Sequence, residues 1–180
     1  MLAIGDVWLV LPDTKVKEDL ATIYRQHRQG LFSLALSITG CRQQAEDAVH
    51  SAFERLYRSD VALTGSAVSY VYVAVRNAAC DIHRTSQRAS GIHESVFADV
   101  APVHNATGPE HEVLTAERDN ILRTAVNNLD SVDRQIVIMK AFGELTFDGI
   151  GAILEQPAKT VATRYRRALI RLEEKLRGQL

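Results

Sequence analysis

Aromatic residues are scarce, at 6%, and the 180-residue chain holds only 10 glycines and 4 prolines. So few turn formers argue against a sheet-and-turn protein and favour long helices. Its two cysteines, Cys41 and Cys80, stand alone in their segments, with no CxxC pair. That argues against a disulfide framework or a cysteine zinc site and fits a reducing cytoplasm. A long hydrophobic run is also missing. Met1 to Leu11 is apolar and includes Trp8, but it is too short to span a bilayer, carries Asp6 and ends at Pro12-Asp13. It reads as an extension, residues 1–14, with no membrane insertion. The histidines His27, His50, His83, His93, His104 and His111 are scattered, and there is no P-loop, GxSxG or paired-carboxylate pattern. No catalytic residues, no metal ligands and no cofactors are expected, and the chain does not read as an enzyme.

The formal net charge is −1, so the overall excess of base common in nucleic-acid binders is lacking too. Its distribution is uneven. Between Gly91 and Arg118 the acids Glu94, Asp99, Glu110, Glu112 and Glu117 face only Arg118. Between Gln156 and Arg177 stand Lys159, Arg164, Arg166, Arg167, Arg171, Lys175 and Arg177, against Glu173 and Glu174. The basic charge is concentrated on one short element.

Apolar periodicity predicts an all-α chain of two small helical domains joined by a flexible linker. Val16, Leu20, Ile23, Tyr24, Leu31, Ala35 and Ile38 recur at three- and four-residue steps, and Gly40 supplies a stop. Ala45, Ala48, Val49, Ala52, Phe53, Leu56 and Tyr57 form one stripe, with Glu46, Asp47, His50 and Glu54 on the other side. A third helix, about Ser66 to Arg84, turns Val68, Val71, Val75, Ala78 and Ile82 inward. It gathers Tyr70, Val73, Asn77, Asp81 and Arg84 on a separate side. From about Ser86 to Pro109 periodicity lapses into an acidic linker. Helices then return over Val113 to Leu129 and Ser131 to Phe142, the latter capped by Asp130 or Ser131. Last come a short helix capped by Thr146, a turn near Leu154 to Pro157, and a longer helix.

In that longer helix Val161, Tyr165, Ala168, Leu169, Leu172 and Leu176 form the inward stripe. Thr163, Arg166, Arg167 and Arg171 are left at or beside the outward face, with Lys159 and Thr160 at its start. A helix-turn-helix needs this pattern, since its second helix enters the major groove and arginine bonds guanine edges.

Three stretches here resemble the fourth conserved region of bacterial RNA polymerase sigma factors of the extracytoplasmic-function (ECF) group. They are Leu129 to Gln135, Gly143 to Phe147, and Lys159 to Ala168. Ala45 to Val49 with Phe53 to Tyr57 resembles that family's core-binding region. Tyr70-Val71-Tyr72 with Arg76 to Asp81 resembles its strand-opening region. The resemblance implies domains at 15–88 and 117–180 around a linker at 89–116, and a factor that takes polymerase core to promoters. Glu46, Asp47, His50 and Glu54 would dock on the β′ clamp, with the β flap a further contact of the core. Tyr70, Arg76, Asn77, Asp81 and Arg84 would meet the separated −10 strand, helped by the loop Ser59 to Ser66. Thr163, Arg166 and Arg167, with Thr160 beside them, would read the −35 element, while Lys159, Arg164 and Arg171 touch phosphates. An anti-sigma protein is an implied partner and the cytoplasm the implied location. The chain departs from the pattern at Tyr70, often Trp, at Ala162, often basic or polar, and at Gly149 and Gly151, where Glu and Ala are usual. A stand-alone helix-turn-helix regulator is the alternative.

Overall fold

The computed structural model describes residues 13–59, 66–90 and 120–177, all of it helix or short connection, with no strand among these residues. The expected extension 1–14 falls almost wholly outside them. So do the loop from 60 to 65 and the linker from 91 to 116.

Helices α1 (Asp13–Thr39), α2 (Arg42–Arg58) and α3 (Ala67–Ser90) form the first unit. Leu20, Ile23, Leu31, Leu34 and Ala35 bury one side of α1 against Ala45, Ala48, Ala52 and Phe53 of α2 and Val71, Val75 and Ala78 of α3. Gly40 ends α1 with a left-handed φ of 69°, a conformation that costs glycine nothing, and its N–H donates to Leu36 O at 2.9 Å. Tyr24 and Tyr57, which the spacing places in apolar stripes, are 45% and 41% exposed. They stand at the stripe edges, where α1 and α2 part.

Helix α3 continues to Ser90, beyond the point near Ser86 where the loss of periodicity places a linker. The last turns rise past the core, so nothing there has to be apolar. Polar bonds hold them instead: Thr85 Oγ1 to Asp81 O at 2.9 Å, and Gln44 Nε2 to Ser86 Oγ at 3.1 Å.

The second unit comprises α4 (120–127), α5 (Ser131–Ala141), α6 (Phe147–Leu154) and α7 (Ala158–Arg177). Asp130 caps α5 by accepting from the Val132 N–H at 3.3 Å, and Thr146 caps α6 by accepting from the Gly149 N–H at 3.1 Å. Glu155 ends α6 in the left-handed region (φ 55°), which makes the tight turn into α7.

Helix α5 is buried on every side from Asp133 to Met139. It lies between the units: Ile136 and Met139 join the core shared with α1 and α3, while Val137 packs with Ala125, Leu129, Ala168 and Leu172. Its polar groups also bridge the units, Arg134 Nη1 donating to Ser37 O at 3.3 Å. Tyr72 of α3 is the bulkiest of the fully buried side chains among the described residues. Its hydroxyl faces Gly30 of α1 and Gly143 in the α5–α6 turn. Burial pushes the Tyr72 phenol well above the usual tyrosine range.

Candidate nucleic-acid interface

Helix α7 is held by three buried residues, Val161, Ala168 and Leu172, which face α5 and α6. Tyr165 seats its start against Phe147 of α6, ring centroids 5.6 Å apart. Leu169, which the spacing places inward, is 42% exposed, one step past the edge of the stripe. Lys159, Thr160, Arg166 and Arg167 are exposed, and the charged ends of the three basic side chains make no ion pair or hydrogen bond among the described residues. Thr163 is half-buried and bonds back to Lys159 O at 2.9 Å, so it sits on the same side with its hydroxyl engaged. Ala162 is half-buried as well, which removes that position from the outermost row.

Arg164 and Arg171 are placed differently. Arg164 Nε donates to Asp133 Oδ1 at 2.7 Å and its Nη2 to Asp130 Oδ2 at 2.8 Å. Arg171 Nη1 donates to Asp133 Oδ2 at 3.2 Å. Both arginines turn toward α5 rather than standing free for phosphate. Spacing alone could not show this, because Asp133 lies 31 residues from Arg164.

On α3 the structure brings Tyr70, Asn77, Asp81 and Arg84 into one exposed row, all within an arc of about 60° at 100° per residue. Arg84 Nη1 lies 3.5 Å from Asp81 Oδ1 in that row. Arg76 does not join it. About 100° away by the same geometry, it is half-buried and donates from Nε to Gln135 Oε1 at 3.0 Å. Val73, grouped with the row by spacing, is half-buried against the core.

On α2 the residues Glu46, Asp47, His50 and Glu54 are all exposed. Glu46 pairs with Arg42 at 3.0 Å and Glu54 with Arg58 at 2.5 Å, one turn away in each case. Beside them α1 and α2 enclose a groove of about 600 Å³ floored by Val49 and Phe53 and flanked by Tyr24, Tyr57, Arg25 and Arg28. Tyr24 meets Phe53 edge-on at 5.2 Å. Its aromatic wall is absent from the sequence expectation, which counts Tyr24 and Tyr57 as core. Their position at the margin of each stripe is the available signal. No cluster of His, Cys, Asp and Glu suited to a metal ion occurs among the described residues. None of their helices is long and apolar enough to cross a membrane.

The family model for sigma-70 region 2 matches residues 23–89, the first unit, and that for sigma-70 region 4 matches residues 119–172, the second. The chain is 25% identical over 174 residues to the ECF RNA polymerase sigma-E factor of Haemophilus influenzae, covering 91% of this chain and 89% of that protein. It is 24% identical over 169 residues to the ECF RNA polymerase sigma factor SigW of Bacillus subtilis, covering 88% of each. The fold is similar to that of the sigma factor RpoE from Bartonella quintana, solved in complex with the anti-sigma factor NepR. There the TM-score is 0.69 at 19% identity, over 91% of this chain and 97% of that one. It is also similar to CnrH, solved with the cytosolic domain of CnrY, at TM-score 0.62 and 16% identity over 91% of each chain. With both family regions matched in order, each to one helical unit, the chain belongs to the sigma-70 family as an ECF-type sigma factor that directs RNA polymerase to promoters.

Proposed function

We propose that the two exposed polar rows divide promoter recognition between them. The α7 row, Lys159, Thr160, Arg166 and Arg167 with Thr163 beside it, enters the major groove at the −35 element. Arg166 and Arg167 contact base edges there, and Lys159 contacts phosphate. The α3 row, Tyr70, Asn77, Asp81 and Arg84, receives the separated −10 strand, Tyr70 offering a ring for stacking and Asn77 an amide for hydrogen bonding. Glu46, Asp47, His50 and Glu54 on α2 dock on the polymerase clamp. One observation carries this reading: the three basic groups Lys159, Arg166 and Arg167 are exposed together without protein partners among the described residues. Unpaired cations in a row on the second helix of a helix-turn-helix suit a polyanionic ligand.

The chain acts by binding, without catalysis of its own, and works in the cytoplasm with the polymerase. An anti-sigma protein holds it inactive, a partner supported by the RpoE–NepR complex, whose sigma factor shares the fold.

Run-off transcription with core polymerase and base-substituted promoters tests the division. Arg167→Ala should cost about 1–3 kcal/mol of discrimination at a single −35 base pair, whereas Lys159→Ala should weaken all sequences alike. Equal, sequence-independent losses from both would overturn the base-reading role of α7.

A further inference from the structure

Asp133 occupies the first turn of α5, and its side chain is only 7% exposed. Its two carboxylate oxygens accept from two different arginines of α7, Oδ1 from Arg164 at 2.7 Å and Oδ2 from Arg171 at 3.2 Å. Arg164 is held a second time, by Asp130 at 2.8 Å. Seven residues separate the two arginines, which places them two turns apart on one side of the helix, about 10 Å from each other. Lys159 and Arg166 lie on the far side of the helical wheel, and Arg167 lies between, about 60° from Arg164.

A carboxylate this deep depends on its partners. Withdrawing one arginine toward DNA leaves a buried charge less compensated, and an exposed, salt-screened phosphate contact returns less than that withdrawal costs. Arg164 and Arg171 therefore stay with α5 when α7 meets DNA. We propose that Asp133 is a positioning residue for promoter recognition: it pins α7 at two points and withholds Arg164 and Arg171 from the DNA backbone. Backbone contacts are blind to sequence, so withholding two of them raises the share of binding that comes from base contacts. This rests on the reading of α7 as the helix that enters the −35 groove.

The test uses the full chain, a duplex selected for binding by the wild-type protein, and a scrambled duplex of the same composition. Affinities are measured across a range of KCl concentrations. Asp133→Asn keeps the shape of the side chain but loses its charge, which frees Arg171 for phosphate and leaves Arg164 held by Asp130 alone. The slope of log affinity against log salt should steepen by about 1–2 on both duplexes, since each phosphate neutralised contributes roughly 0.9. The added phosphate affinity is common to both duplexes and by itself leaves their ratio unchanged. Preference for the selected duplex should fall at least about threefold because α7 is no longer held in register with the base edges. Adding Arg171→Gln to that variant should remove about one unit of the steepening, whereas Arg171→Gln alone should leave the slope as it is. An unchanged or shallower slope in Asp133→Asn would overturn the proposal. So would a slope that flattens by about one unit in Arg171→Gln alone, and this second result decides the matter even if Asp133→Asn fails to fold. Failure of the underlying reading looks different: Lys159→Ala with Arg166→Ala and Arg167→Ala would then leave binding to both duplexes intact.

Discussion

Arg76 on α3 and Gln135 on α5 are joined across the two sigma units, Nε–H to Oε1, at 3.0 Å. A residue that the family resemblance assigns to the −10 strand is thus engaged by the unit proposed to read the −35 element. To touch DNA it must first leave Gln135. Gln135→Ala removes that competitor, and a hydrogen bond to a charged group contributes about 1.5 kcal/mol or more net. Affinity for a −10 single strand, followed by fluorescence anisotropy, should rise roughly tenfold. Unchanged affinity would remove Arg76 from the strand-binding set.

At Gly30, α1 approaches the α5–α6 turn closely. A Cβ there would collide with the Tyr72 hydroxyl and stand 2.9 Å from both Gly143 Cα and Phe142 O. Two of those three neighbours are backbone and cannot step aside. Gly30→Ala should therefore cost about 1–3 kcal/mol and lower the calorimetric melting temperature by several degrees. Tyr72→Phe on top of it should recover only part of the loss. Simple additivity of the two changes would mean that hydroxyl and methyl do not meet.

The Tyr72 hydroxyl has no hydrogen-bond partner among the described residues, although the ring is fully buried. An unmet polar group in the core is a cost, so Tyr72→Phe should stabilise the chain by about 1 kcal/mol at neutral pH. The raised phenol adds a pH signature. Below the unfolded tyrosine value of about 10 the phenol is protonated in both states and adds no pH dependence to stability. Above it the unfolded chain loses the proton and the native one retains it, so stability falls by up to about 1.4 kcal/mol per pH unit. Urea titrations at pH 8 and pH 11 should show the advantage of Tyr72→Phe widening at the higher pH. A gap that stays constant would place the phenol in contact with solvent.

The order of the helices, the caps at Asp130 and Thr146 and the turn before Pro157 were legible in the sequence, because each depends on neighbours within a turn or two. So was the row Tyr70, Asn77, Asp81 and Arg84, which follows from helix geometry alone. What spacing could not supply were contacts between distant segments. Arg164 and Arg171 look free on a helical wheel because Asp133 belongs to another helix. Arg76 looks exposed until α5 is packed beside it, and α5 shows weak amphipathicity because it is buried all round. Tyr24 and Tyr57 fit an apolar period, but only the packed pair α1–α2 shows that they wall a groove.

Gly149 and Gly151 give the same sequence signal, two helix-weakening residues in α6, yet their surroundings differ. A Cβ on Gly149 would lie 3.3 Å from Thr146 Oγ1 and 3.5 Å from Ser69 Oγ, both side-chain atoms with some room to yield. The gain in helix propensity approaches 1 kcal/mol, so Gly149→Ala should be neutral or mildly stabilising. Gly151 instead carries the turn of the helix-turn-helix. The Gln156 N–H donates to its carbonyl at 2.9 Å, and a Cβ would come within 2.5 Å of the Gln156 carbonyl oxygen. That oxygen is backbone, fixed between the left-handed Glu155 and Pro157, so relief requires moving the start of α7 itself. Gly151→Ala should cost about 1–3 kcal/mol in urea unfolding. It should also weaken binding to −35 duplex DNA more than to a −10 single strand. If Gly149→Ala and Gly151→Ala shifted stability equally, helix propensity would account for both glycines and the close approach at Gln156 would have no energetic weight.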